Sequence, residues 1–123
     1  MTTPPLFDRV GGEAFFVELV DRFYDGVAAD PLLRPMYPDD LADSRRHLAL
    51  FLMQYWGGPT TYSEERGHPR LRLRHAPHVV DAAARDAWLR HMRAALAAMS
   101  LDDVDREALA DYLEMAANQL RNA

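Results

Sequence analysis

The chain of 123 residues contains no cysteine, and by inspection no lysine and no isoleucine. Without cysteine there is no disulfide scaffold, no thiolate-bound zinc or iron–sulfur cluster, and no Cys-x-x-Cys-His attachment of a prosthetic group. All 14 basic residues are arginine, against 19 acidic ones, and the net charge of −5 argues against general nucleic-acid binding. The absence of lysine and isoleucine is read as the mark of a GC-rich coding genome. No apolar run approaches the length of a membrane span, and Met1-Thr2-Thr3-Pro4-Pro5 has neither the basic region nor the apolar core of a signal peptide. The expectation is a cytoplasmic protein of one domain, spanning 1–123, without nucleic-acid or membrane partners.

What is present is helical punctuation. Pro4-Pro5 precedes a short turn from Leu6 to Val10, which Gly11-Gly12 breaks. From Glu13 to about Ala29, residues Phe16, Leu19, Val20, Phe23 and Val27 repeat with a helical period, and Tyr24 lies beside them. Asp30-Pro31 predicts a cap followed by a first-turn proline, opening a very short helix that ends near Tyr37-Pro38. A third helix is expected from about Asp43 to Trp56, with Ser44, Leu48, Phe51, Leu52 and Tyr55 on one face, ended by Gly57-Gly58-Pro59. Thr60 to Pro69 reads as a polar loop, with Ser63-Glu64-Glu65 exposed, followed by a short helix around Leu71 to Ala76. Two long helices close the chain. One is capped near Asp81 and carries Trp88, Met92, Ala95, Leu96 and Met99. The other starts at about Asp103 and carries Leu109, Tyr112, Leu113, Ala116 and Leu120. The fold class is all-α.

The run from Gly67 to Pro77 ends in one imidazole, His75, in a segment bounded by prolines and studded with arginines. Such a segment suits a single axial metal ligand, and a haem iron needs one such nitrogen with no second protein donor. Three polar-tipped aromatics, Tyr24, Tyr37 and Trp88, stand on otherwise apolar faces. Each has two readings: a core aromatic bonded to a backbone carbonyl, or a donor to a polarised ligand above the iron. Arg70, Arg72 and Arg74 form either a solvated face or, for Arg72 and Arg74 in the candidate site, partners of the haem propionates. His75 and His78 are spaced for zinc, but Pro77 breaks the register and no acidic or cysteine partner completes the set. His91, among charged residues, reads as a solvated surface group. His47 reads either as a pocket-rim residue or as exposed, and His68 as a loop hydrogen-bonding group.

The stretch Phe51-Leu52-Met53-Gln54-Tyr55-Trp56-Gly57-Gly58-Pro59, with Tyr62-Ser63-Glu64, Gly67-His68-Pro69 and Arg74-His75-Ala76-Pro77, resembles the group II truncated haemoglobins, the bacterial two-over-two globins. Arg22-Phe23-Tyr24, Met36-Tyr37-Pro38 and Arg85-Asp86-Ala87-Trp88-Leu89 also match, and the resemblance runs from about Leu6 to Leu120. It implies a truncated-globin fold around a non-covalent haem b (iron protoporphyrin IX). It implies that His75 is the proximal iron ligand, and that Tyr24, Tyr37 and Trp88 form the distal cage. Ser44 and Leu48 would line the distal face, and His47 and Tyr62 would sit near the haem edge and its propionates. Ser44 stands where many relatives have alanine, and His78 where an aromatic is frequent.

The function expected is reversible binding of dioxygen and other diatomic ligands, with release too slow for bulk oxygen transport. The alternative is a haem enzyme acting on peroxide or nitric oxide. The chain has no flavin or nicotinamide motif, so sustained turnover would need an external reductase. The sequence leaves a homo-oligomer open.

Overall fold

The computed structural model describes residues 4–67 and 80–121. His75, Arg72 and Arg74 lie outside the described residues, as do Arg70, His68, His78 and the helix expected over 71–76. Among the described residues every regular element is helical. In chain order these are α1 (Leu6–Arg9), α2 (Glu13–Ala28), a 3-10 turn (Arg34–Met36), α3 (Ala42–Tyr55), α4 (Thr61–Arg66), α5 (Ala82–Ala97) and α6 (Asp103–Leu120). No helix among them is long and apolar enough to cross a membrane.

The apolar stripes explain the packing. Helix α2 buries Phe16, Leu19, Val20, Phe23 and Val27, and it packs on α3 on one side and α5 on the other. Helix α5 packs in turn on α6, which buries Leu109, Tyr112, Leu113, Ala116 and Leu120. The result is one pair, α2 and α3, set against another, α5 and α6. Helix-end chemistry supports this arrangement. Asp81 caps α5 by accepting from the Ala84 N–H at 2.8 Å. Arg106 donates to the carbonyls of Leu96 and Met99 at 2.6 and 2.7 Å, covering the open C-terminal end of α5. At the end of α3 the backbone turns at Gly57, where φ is +95° and a Cβ would lie 2.5 Å from Pro5 Cβ. That glycine lets α1 dock on the end of α3, where the Phe7 N–H donates to the Trp56 carbonyl at 3.0 Å. Phe16 is fully buried, stacked on Phe7 and edge-on to Phe15. Phe16→Ala is expected to cost about 3–5 kcal/mol of folding stability, read from the midpoint of denaturant unfolding.

Four expectations from sequence are corrected. The very short helix expected to open at Asp30-Pro31 ends where expected, but it is a 3-10 helix that begins only at Arg34, after a turn. Asp30 accepts from the Leu32 N–H at 2.9 Å, and Arg34 holds the carbonyls of Pro38 and Asp39 at 2.9 and 2.8 Å, so side chains satisfy the backbone there. Thr61 to Arg66, expected as polar loop, is helical because tertiary partners hold it. Gln54 on α3 clamps Ser63 with two hydrogen bonds at 2.7 and 3.0 Å, and Arg46 meets Glu65 at 2.6 and 2.7 Å. Tyr55, expected inside with Ser44 and Leu48, is 52% exposed. It is the last residue of α3, where the Tyr112 ring stacks on it and the Trp56 ring meets it edge-on.

His91 is the fourth, since it is not a solvated surface group. Its Nε2 lies 2.7 Å from Asp30 Oδ2, its side chain is 20% exposed, and a Cβ on Gly26 would lie 2.5 Å from its Nδ1. The bare backbone at Gly26 is the seat for this ring, so α2, α5 and the turn after α2 meet there. The His91 hydrogen bond, followed by that of the Leu32 N–H, holds the Asp30 carboxyl below the ordinary carboxylate value. A depressed carboxyl stabilises the fold above its unfolded value, about 3.9, and loses that contribution as pH falls through its lowered native value. Asp30→Asn should therefore lower the melting temperature near neutrality and flatten its decline below about pH 4. Parallel acid limbs in the two proteins would contradict this.

Candidate functional site

The two helix pairs enclose a cavity of about 450 Å³, within the usual range for small-molecule and cofactor sites. Its walls combine two sources. Leu48, Phe51 and Leu52 come from α3, while Tyr112, Leu113, Ala116 and Leu120 come from α6. The cavity opens to solvent on one side, and an apolar occupant would cover its apolar walls and extend the core of a small chain.

Polar groups converge on this cavity. Tyr24 on α2, Tyr37 just after the 3-10 turn, Trp88 on α5, and Ser44 and His47 on α3 all line the same cavity. The Tyr24 and Tyr37 rings meet edge to face at 5.5 Å, and Phe23 fills the space behind, 4.9 Å from Tyr24 and 5.3 Å from Trp88. Burial pushes the Tyr24 phenol well above its ordinary value, the nearby Tyr37 adds to this, and Arg45 and the Ser44 hydroxyl oppose it. The Arg45 guanidinium lies 5.7 Å over the Tyr24 ring, anchored to Asp21 and Asp25 at 3.2 Å each. The Tyr37 hydroxyl is pushed up to about 12 by burial, against a hydrogen bond from Trp88.

An indole N–H can only donate, so toward Tyr37 the Trp88 ring offers its proton to the phenol oxygen and the Tyr37 proton is left for another partner. Ser44 and Tyr24 are two hydroxyls, and either can donate to the other. Both phenols stay neutral near pH 7, so the cage offers donors without adding a buried negative charge.

Two further candidates lie on the same cavity. Tyr62 is buried, edge-on to Phe51 at 5.4 Å, and lines the cavity; His47, half-buried, lines it too, close to Glu65, whose carboxyl is held low first by Arg46 and to a smaller extent by His47. The structure thus brings Tyr24, Tyr37, Trp88, Ser44, His47, Leu48 and Tyr62 to one cavity, while His75, Arg72 and Arg74 fall outside the described residues. Sequence reasoning missed the wall from α6. Its stripe at 109, 112, 113, 116 and 120 reads as interior, but periodicity does not distinguish a face packed on a helix from one bounding a cavity.

An apolar pocket between helix pairs, with neutral donors on its wall, defines a helical cofactor-binding protein. A family profile described as bacterial-like globin matches residues 5–122. A group 2 truncated haemoglobin of Bacillus subtilis (strain 168) is 44% identical over 111 residues, covering 90% of this chain and 84% of that protein. The thermostable haemoglobin of the actinobacterium Thermobifida fusca superposes with a TM-score of 0.95 at 53% identity, over 98% of each chain. The truncated oxygen-avid haemoglobin of Bacillus subtilis gives 0.91 at 41% identity, over 97% of this chain and 100% of that one. The chain belongs to the bacterial-like globin family, among the group II truncated haemoglobins. The two-pair architecture is the truncated-globin fold, and the family's chemistry is haem-based binding of diatomic ligands.

The residues present fit that group. Most of the cavity wall is apolar, as a porphyrin face requires, and Tyr24, Tyr37 and Trp88 supply neutral hydroxyl and indole donors, which suits a polarised diatomic ligand.

Proposed function

We propose that the protein holds haem b without a covalent link, through His75 as the iron ligand, and binds dioxygen reversibly with slow release. When bound, the haem supplies an iron with an open position for a diatomic ligand. Leu48, Phe51, Leu52 and Leu113 keep water away from that space. His47 and Tyr62, with Arg72 and Arg74, are the candidates for its carboxylate edge.

The observation that carries the proposal is the gathering of Tyr24, Tyr37 and Trp88 on one largely apolar cavity. Burial keeps both phenols protonated near neutral pH, so the cage offers neutral donors to a ligand with partial negative charge. A hydrogen bond to a charged group is worth about 1.5–3 kcal/mol, and 1.4 kcal/mol is about a factor of ten in an equilibrium constant. Two such donors would slow release by roughly a hundredfold or more. That favours scavenging, sensing or redox chemistry over bulk delivery.

The test is direct. Purified apoprotein titrated with hemin should develop a sharp Soret band saturating at one equivalent, and the reduced form should bind dioxygen and release it slowly in stopped flow. A broad spectrum without a Soret maximum would overturn the proposal. Sustained turnover of nitric oxide with an added reductase would instead move the protein to the enzymes.

A further inference from the structure

Tyr55 has no place in the cage, yet it is a large aromatic held half in solvent. Its ring stacks on that of Tyr112, with centroids 3.9 Å apart and planes at 29°. Tyr112 is itself 8% exposed and forms part of the cavity wall. Two overlapping oxidisable rings thus lead from the cavity to water. Electron tunnelling falls exponentially with distance, so a stacked pair in near van der Waals contact conducts far better than saturated side chains of the same span. The geometry points to an electron relay in which Tyr112 and Tyr55 pass single electrons from small phenolic donors in solution to an oxidant that hydrogen peroxide generates in the cavity. The relay rests on the haem reading above.

The direction follows from where a proton can go. Oxidising a phenol releases an acidic proton, and the neutral radical is stable only where that proton finds an acceptor. Tyr24 is buried and Tyr37 half-buried, and burial raises the pKa of both phenols, so neither gives up its proton as readily as a tyrosine in solvent. Trp56 lies beside both relay rings, 5.2 Å from Tyr55 and 5.6 Å from Tyr112. Its Nε1 is buried with no hydrogen-bond partner among the described residues, so an oxidised indole there would keep its charge in apolar surroundings. Tyr55, 52% exposed, can pass its proton to water, and so the oxidising equivalent comes to rest on it.

For each equivalent, one electron leaves Tyr55 through Tyr112 to the cavity and one proton leaves to water. A phenolic donor then returns an electron and a proton to Tyr55. Two such cycles reduce one hydrogen peroxide to two waters and convert two phenols to two phenoxyl radicals. Without a donor, Tyr55 radicals on two copies join by a carbon–carbon bond, giving dityrosine.

The test uses hemin-loaded protein with one equivalent of hydrogen peroxide and no donor, for the wild type, Tyr55→Phe and Tyr112→Phe. Dityrosine fluorescence and peptide mass mapping report where oxidation lands, and Soret absorbance with melting temperature reports that each variant holds haem and folds. Wild type should cross-link through Tyr55. Tyr55→Phe should lose at least nine-tenths of the dityrosine at an unchanged Soret band, and Tyr112→Phe should slow its formation severalfold. Adding guaiacol, a simple phenol, should suppress wild-type cross-linking and be consumed faster than by Tyr55→Phe. A normal Soret band with Tyr55 unmodified, or equal cross-linking in Tyr55→Phe, overturns the relay alone. A missing Soret band in the wild type overturns the haem reading and the relay with it.

Discussion

Dioxygen leaves the Trp88→Phe protein roughly tenfold faster than the wild type, the size expected for loss of one hydrogen bond to a polarised ligand. The structure adds a feature to this expectation. Trp88 and Tyr37 line the same cavity and interact with each other, so the two donors are expected to be coupled. In Tyr37→Phe the indole N–H is released and can turn to the ligand itself, so that single variant should show the smaller acceleration. The double variant loses both donors, and its release rate should exceed the product of the two single effects. Residues in one hydrogen-bond network commonly couple by about 0.5–3 kcal/mol, which stopped-flow rates resolve easily. Strictly multiplicative rates would mean that the two residues act independently, and an unchanged rate in Trp88→Phe would remove Trp88 from the cage.

His75→Gly should abolish the ordinary Soret spectrum and remove the thermal stabilisation that hemin confers. A ligand that binds only the folded state, present at a hundred times its dissociation constant, adds about 2.7 kcal/mol. For a domain of this size that corresponds to on the order of 10 °C in melting temperature. The comparison is made with and without hemin, so that any effect of the substitution on the bare fold cancels. A hemin-induced shift equal to that of the wild type would show that another residue holds the group. A chain with no bound group to lose would show no hemin-dependent shift in either protein.

Other features of the site depend on contacts that no residue pattern encodes. The Tyr112 stripe was legible as interior, but its exposure to a cavity depends on how far α6 stands from α3. His91 lies in a run of charged residues, so its neighbours in sequence suggest solvent; its real neighbours are Gly26 and Asp30, 65 and 61 positions earlier. Helix α4 has too few apolar residues to announce itself, and its stability comes from Gln54 and Arg46 on another helix. Tyr55 follows the period of α3 correctly but falls at its last turn, where little remains to pack on its face.

By itself the sequence determined the four long helices, because a 3.6-residue apolar period and a pair of glycines act through local sterics and one-sided burial. It also marked Tyr24, Tyr37 and Trp88 as polar tips on apolar faces. Only the tertiary structure decided that those tips meet on one cavity, which helix closes that cavity opposite α3, and that an exposed tyrosine lies stacked on its wall. Those outcomes depend on distances between residues far apart in the chain, which are set by how whole helices pack.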